Sequence, residues 1–316
     1  DVDPSLSATH NLTANGGREV LIIKLNPNGS FVWGKNVGGN YADNSYDIHT
    51  NYLDDVFITG SFYDTADFDP GINQALFVAY GLDFYILKLD PQGQYEWAKT
   101  ISPDSNNYRV LGKSITSTSN GDVWITGEFF DSVDFNPGVN TYYLAPRMLS
   151  SSTFLLNLSD SGSFKWAGQF SGIPPFGGTE PHSIFYQNGF IYTTGEFYGS
   201  ADFDPSTTNQ FQLSTPGAYV HKLKVSSFIT SLKDIQQLHK SNFMIFPNPA
   251  KNSLQLKTQN SFLKSFSIYD VNGKLIQIGK FPSERIDVSD LENGIYFLRL
   301  FGRDGTLSQK KFIKVD

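Results

Sequence analysis

Apolar residues in the first two thirds of the chain come in short runs, each closed by a turn of Gly, Asn, Asp or Ser. "VFITGSF" (56–62), "VWITGEF" (123–129) and "IYTTGEF" (191–197) form one set of such runs. "VLIIKL" (20–25), "YILKLD" (85–90) and "FLLNLS" (154–159) form another. Members of the second set pass through a tight turn, "NPNG", "DPQG" or "SDSG", into a strand with a central tryptophan: Trp33, Trp97 or Trp166. No useful stretch of residues 1–225 repeats every 3.6 positions, so the pattern predicts strands and hairpins, not helices.

The runs recur as units. The best-defined unit reads "SITSTS", "VWITGEF", "TFLLNLS" and "FKWAGQF", four strands with "SNGD" and "SDSG" as hairpin turns. A longer connection between strands two and three carries "TADFDPG" (65–71), "SVDFNPG" (132–138) or "SADFDPS" (200–206), and "DVDP" opens the chain. Asp1, Asp67, Asp134 and Asp202 head these copies at spacings of 66, 67 and 68 residues. Tandem four-stranded antiparallel units predict an all-β region built as propeller blades. Solenoid coils would be shorter, and separate sandwiches need more strands per unit. The strand pair at 20–37 and the units at about 46–101, 113–170 and 181–232 make roughly three and a half blades, where propellers use about four to eight. The expectation is that residues 1–232 are the C-terminal part of a larger array. The last unit, ending "KLKVSSFITSLKD", lacks the Gly turn and the tryptophan, as a capping repeat would.

There is no cysteine, which excludes disulfides and thiolate metal sites. The N-terminal residues show no basic start followed by an apolar run, and no stretch has the length of an apolar membrane span. The chain opens on Asp1, as a processed product or fragment would. The net charge of −7 is uneven: residues 244–316 hold 11 Lys/Arg against 7 Asp/Glu, and the remainder 13 against 24. An acidic body argues against nucleic acid as a partner.

The repeated carboxylates admit two readings. Asp67 with Asp69, and Asp202 with Asp204, could present hard oxygens to calcium. Against this, Asn136 replaces the second aspartate in one copy, and no glutamate completes a bidentate set. The other reading is a turn: Asp and Asn bond nearby backbone, Pro fixes φ and Phe packs inward. The turn is the preferred reading, and a catalytic pair has no reason to recur in every copy. The tryptophans, fixed in strand four, are read as packing between units ahead of a carbohydrate platform. His10, His49, His182, His221 and His239 show no ligand spacing. No catalytic residue and no cofactor is assigned, and the chain is not expected to be an enzyme.

Residues 233–243, "KDIQQLHKSNF", break the pattern and read as a linker. About seven short strands follow in residues 244–316, with Asn272-Gly273 suited to a type I′ hairpin and a turn at 292–294. That density predicts a small immunoglobulin-like β-sandwich.

Two resemblances sharpen this reading. The "TGxF…DFDPG…KLD" grammar with its "WAK" strand resembles a β-propeller repeat family common in secreted proteins of Bacteroidetes, over residues 1–232. "FPNP", "YDVNGK", "DLENGIYFLRL" and the terminal "KKFIK" resemble the type A C-terminal sorting domain of the type IX secretion system. That resemblance implies a cargo that reaches the periplasm behind a signal peptide. The outer-membrane translocon and a sortase-like peptidase would then read its tail, leaving it secreted or at the cell surface. It assigns recognition to Pro247, Asn248, Pro249, Gly273, Lys274, Gly294, Tyr296, Lys311 and Lys314. From the residues themselves, the glycines and prolines shape turns, Tyr296 fits a core, and the lysines are candidates for contact through exposed heads. Asp-Thr-Ala (64–66) and Asp-Ser-Val (131–133) resemble the Bacteroidetes O-glycosylation acceptor, which implies Thr65 and Ser132; Gly-Ser-Ala at 199–201 departs from it. The repeat region is then expected to be a binding or adhesion platform for a surface ligand, glycan or protein. The alternative is a scaffold for a secreted enzyme whose catalytic residues lie upstream.

Overall fold

The computed structural model describes residues 1–5, 8–14, 16–104, 109–147, 150–206, 209–225, 243–258, 263–271, 274–280, 285–302 and 307–316. The chain divides into two compact units, Asp1–Ser226 and Ser227–Asp316. Among the described residues all named elements are strands, and no sheet closes on itself.

In the first unit, β1 (Val20–Leu25) and β2 (Phe31–Gly39) form a hairpin. β3 (Asn44–Thr50), β4 (Val56–Asp67), β5 (Leu76–Leu89) and β6 (Tyr95–Ile101) then pair in chain order as an antiparallel meander. The next meander uses β7 (Val110–Ser117) and β8 (Val123–Phe129). It passes through a short ladder of β9 (Val133–Asp134) and β10 (Tyr143–Leu144), and continues with β11 (Ser152–Leu158) and β12 (Phe164–Gln187). β13 (Phe190–Asp202) then pairs with β12, with β14 (Gln212–Leu213) and with β15 (Gly217–Lys224). The fourth strand expected after β15 falls outside the described residues.

The sequence predicts separate strands at 164–170 and from 181 onward, but β12 stays paired from one meander to the next, doubling back on itself where its ladder to β13 jumps from Ile173 to Gly178. Its first half pairs with β11 and its second with β13. Glycines permit this: a Cβ on Gly172 would lie 2.0 Å from the Gly177 carbonyl oxygen, so only bare backbone can fold so closely.

The core lies between meanders, because the third strands β5 (from Phe84 on) and β11 are buried on both faces, while β15 buries only Tyr219. Tyr85, Leu87 and Leu89 of β5 join Val20 and Ile22 of β1 in one apolar cluster. Phe84 and Ile86, pointing the other way, join Phe154, Leu156 and Leu158 of β11 in another. This alternation is the period of two of a strand, with both sides dry. Side-chain hooks reinforce the stacking. The Trp33 Nε1–H donates to the Pro91 carbonyl at 3.1 Å, and that of Trp97 donates to the Asp160 carbonyl at 2.9 Å. Each tryptophan therefore pins the turn of the following meander. Lys88 is fully buried, with its Nζ 3.3 Å from Asp55, 2.9 Å from Glu96 and 2.8 Å from Asp160.

The second unit has two antiparallel sheets. β16 (Phe243–Phe246), β17 (Ser253–Thr258) and β20 (Arg285–Asp287) form one. β19 (Leu275–Lys280), β18 (Leu263–Asp270), β21 (Gly294–Gly302) and β22 (Leu307–Lys314), in that spatial order, form the other. Phe243, Leu254, Leu256 and Ile286 of the first sheet share one cluster with Ile268, Leu298, Leu300 and Phe312 of the second. Of the predicted linker, residues 233–242 lie outside the described residues, and Phe243 opens β16.

Candidate functional site

The four Asp-headed loops share one hydrogen-bond scheme. Asp67 Oδ1 accepts the N–H groups of Asp69 (3.0 Å) and Ala75 (2.8 Å), and Asp69 Oδ1 accepts that of Gly71 (2.8 Å). Asp134 accepts from Asn136 (3.0 Å) and Tyr142 (2.7 Å), and Asn136 from Gly138 (2.9 Å). Asp202 accepts from Asp204 (3.1 Å) and Phe211 (2.9 Å), and Asp204 from Ser206 (2.9 Å). Asp1 accepts from Asp3 (3.1 Å) and His10 (2.9 Å), and Asp3 from Ser5 (2.8 Å). The first carboxylate turns the chain and also ties its far end, while Phe68, Phe135 and Phe203 are buried beneath. Because Asn136 serves as well as aspartate at the second position, that position needs an acceptor, not a charge. Among the described residues, no group of three or more His, Cys, Asp or Glu is gathered to hold a metal. Thr65 is exposed on β4, and its hydroxyl donates to Asp64 at 3.3 Å. Ser132 is half-buried, and its N–H donates to Asp131 at 2.7 Å.

A second repeated device leaves no mark on the apolar runs of the sequence. The first strand of each meander carries a bulge at the same place. Ser45 faces Gly60 and Asp47 faces Thr59, which leaves Tyr46 outside the ladder. Lys113 is skipped in the same way between Gly112 and Ser114, and His182 between Pro181 and Ser183. Opposite each bulge is the glycine of the repeated Thr-Gly pair. A Cβ there would lie 1.9 Å from the Asn44 oxygen at Gly60, 1.9 Å from that of Leu111 at Gly127, and 2.1 Å from that of Glu180 at Gly195. The residue after each glycine meets the extra residue of its own bulge. Tyr46 and Ser61 hydroxyls are 3.1 Å apart, Lys113 lies 3.5 Å from Glu128, and His182 lies 3.6 Å from Glu196. The signal available in the sequence was this variable place, Ser61, Glu128 or Glu196, directly after an unvarying Thr-Gly.

In the second unit the register gathers the predicted recognition residues at one end of the four-stranded sheet. Pro247, Asn248 and Pro249 are exposed between β16 and β17. Asn248 Oδ1 accepts the N–H of Ile313 at 2.9 Å. Backbone bonds join Ala250 to Ile313 (2.7 Å) and Val315 to Ala250 (2.9 Å), so the Pro-Asn-Pro turn is sewn to the end of β22. Gly294 stands opposite Lys314 and Tyr296 opposite Phe312, and Tyr296 also faces Asp270 across β18. The Asp270 carboxylate accepts the N–H of the exposed Lys274 at 2.9 Å. Tyr296 is buried, its ring stacked 5.5 Å from that of Phe312 and its hydroxyl donating to the Glu292 carbonyl at 3.0 Å. Gly273, with Asn272, lies outside the described residues.

Two expectations about side chains are corrected. Lys311 is exposed, but Lys314 is 4% exposed, and its ammonium donates to the Val315 carbonyl at 3.1 Å. It shares a strand face with the fully buried Phe312, and a long aliphatic stem lets it lie there with only its head seeking oxygen. Gly294 was expected to shape a turn. It instead opens β21 without positive φ, and a Cβ there would meet only the Tyr296 ring, at 3.6 Å.

Residues 244–315 match the family described as "Secretion system C-terminal sorting domain". The chain is 26% identical over 157 residues to the uncharacterized WD repeat-containing protein L264 of Acanthamoeba polyphaga mimivirus, a match covering 45% of this chain and 11% of that protein. Among solved structures, PorZ, a surface component of the type-IX secretion system of Porphyromonas gingivalis, aligns at 10% identity and a TM-score of 0.21. That alignment covers 92% of this chain and 41% of PorZ. The extracellular domain of BT4673 from B. thetaiotaomicron aligns at 14% identity and a TM-score of 0.22, covering 92% and 46%. The chain thus spans less than half of either structure and about a tenth of the viral protein. The C-terminal domain marks the chain as a type IX secretion cargo bound for the cell surface or the outside. Among the described residues no helix is long and apolar enough to cross a membrane.

Proposed function

We propose that residues 244–316 are a type A sorting signal, engaged by the type IX translocon and a sortase-like peptidase, with Lys311 as a direct contact. On this reading the meanders of the first unit are propeller blades, about three and a half in number, and the second unit is an immunoglobulin-like tail. The blades act as a non-catalytic binding or adhesion platform outside the cell. The observation that carries the export reading is the gathering of the tail motifs at one sheet end, tied through Asn248 to the final strand. Tyr296 supports the immunoglobulin-like assignment, because a tyrosine near a strand start that bonds backbone a few residues upstream is a recurrent corner of such sandwiches. For the platform, the support is that the repeated carboxylates serve backbone N–H groups, which gives them an architectural role.

Fusion of residues 233–316 behind a signal peptide and a fluorescent protein is expected to carry the reporter outside a Bacteroidetes cell. Deletion of 244–316 is expected to leave the native chain in the periplasm. Lys311→Ala should reduce export while the domain stays folded. Lys314→Ala removes a buried side chain and reports on folding instead. A reporter exported equally well without the tail, or in a strain lacking the translocon, overturns the assignment.

A further inference from the structure

The extra residues of the three bulges converge. Tyr46, Lys113 and His182, each from a different meander, line one open cavity of about 330 Å³ together with Glu128, Glu180 and Pro181. The Lys113 ammonium also stands 5.3 Å from the centre of the Tyr46 ring, which ties two of the three meanders together at this point.

The repeats supply an internal comparison. Positions that build the meander are held: the Thr-Gly pair, the phenylalanine two places after that glycine, and the Asp-headed loop. The bulge position reads Tyr, Lys and His, and its partner reads Ser, Glu and Glu. A position needed only for folding would be expected to repeat with the rest. A bulge re-aims one side chain and leaves it outside the ladder, and such bulges are common beside functional sites. Here the fold provides a fixed mount and the side chain on it differs from copy to copy.

The chemistry of the cavity selects a ligand class. Groups of both kinds line the cavity and face partners in it or at its edge: Lys113 stands 3.5 Å from Glu128, which Arg109 approaches to 3.6 Å from outside the lining, and the His182 imidazole stands 3.6 Å from Glu196, also outside the lining. A strongly charged ligand would meet its own sign. Yet these separations exceed the distance of a tight charge-assisted hydrogen bond, about 2.7–2.9 Å. A hydroxyl group seated beside such a pair can bridge it, donating to the carboxylate while accepting from the ammonium or from an imidazole N–H. Several hydroxyls at fixed spacing would match the alternation of donors and acceptors, and the Tyr46 edge offers an apolar contact beside them.

We infer that this cavity is a binding site for a neutral polyhydroxylated ligand, a mono- or disaccharide unit of a glycan, read by Tyr46, Lys113, Glu180 and His182. The inference rests on the platform reading of the repeat region. It gives that platform a site and a substrate class.

The test uses the full chain. Glucose, galactose, mannose, N-acetylglucosamine, cellobiose and chitobiose are titrated singly, with saturation-transfer NMR to detect binding and calorimetry to measure it. At least one sugar is expected to bind, and Lys113→Met and Glu180→Gln are each expected to weaken it by about tenfold or more. Thermal melting checks that each variant is folded, and Tyr46→Ala, on an exposed side chain, serves if one is not. Sugars that do not bind, or that bind the folded variants as tightly as the parent chain, overturn the inference. Lysine-rich and glutamate-rich peptides are titrated in parallel. A peptide that binds and is displaced by the same substitutions rejects the saccharide and keeps the platform. Absence of binding to every sugar and peptide rejects both.

Discussion

Gly60, Gly127 and Gly195 are the smallest part of the repeated Thr-Gly motif and its most constrained. Each faces a bulged strand whose carbonyl oxygen occupies the place of a Cβ. That oxygen is backbone and cannot swing aside, and a buried ring, Tyr85, Phe154 or Tyr219, closes the other side, so a methyl group must push two strands apart. Gly127→Ala is expected to cost at least about 2 kcal/mol in urea unfolding. Gly294→Ala, in the other unit, should change stability by less than about 0.5 kcal/mol, because its Cβ meets only a ring at ordinary contact distance. Equal losses for the two would mean that the close approach in the meander relaxes freely and that the glycine has some other use.

At the scale of an element, the Asp-headed loop is a long connection made rigid by one side chain. Asp134 gathers N–H groups from Asn136 and Tyr142, and the Phe135 N–H donates to the Tyr142 carbonyl at 2.9 Å. Asp134→Ala leaves two donors without their acceptor, for an expected loss of roughly 1–3 kcal/mol. Asp134→Asn should recover most of it, since the amide oxygen accepts as Asn136 does. Chelator should leave the melting temperature of the full chain where it was. A drop of several degrees that calcium reverses would return the carboxylates to a metal role, since a saturating site adds about 2.7 kcal/mol at a hundredfold excess over Kd. Much of this element was legible in the sequence, because recurrence separated turn chemistry from chance and Asn136 showed what the second position needs. The bulges were not legible. One extra residue leaves the apolar runs intact, and its effect shows only when the partner strand is known. The continuity of β12 was hidden by its prolines and glycines, which read as a break. Lys314 misled for a different reason. Its charge argued for water, while its spacing of two from Phe312 placed it on the inner face.

At the scale of the whole repeat unit, stacking depends on the third strands β5 and β11, which are apolar on both sides, and on polar clamps between neighbours. Lys88 is the strongest of these, since Asp160 belongs to the next meander while Asp55 and Glu96 belong to its own. Asn157 takes the equivalent place one meander on and bonds within its own sheet, to the Val123 carbonyl at 3.1 Å. Lys88→Ala is expected to destabilise the chain by about 3–5 kcal/mol, because carboxylates assembled around a buried cation would lose it. Lys88→Met keeps the stem beside Phe57 and should cost less. Unchanged denaturant midpoints for both variants would show that apolar stacking alone holds the meanders together. The bulge has a consequence for how such a protein changes over generations. Its extra residue contributes no ladder bond, so natural variation there escapes the penalty that polices the glycine opposite. Every duplication of the unit adds one more letter to a recognition word, and every letter can be rewritten without respelling the fold.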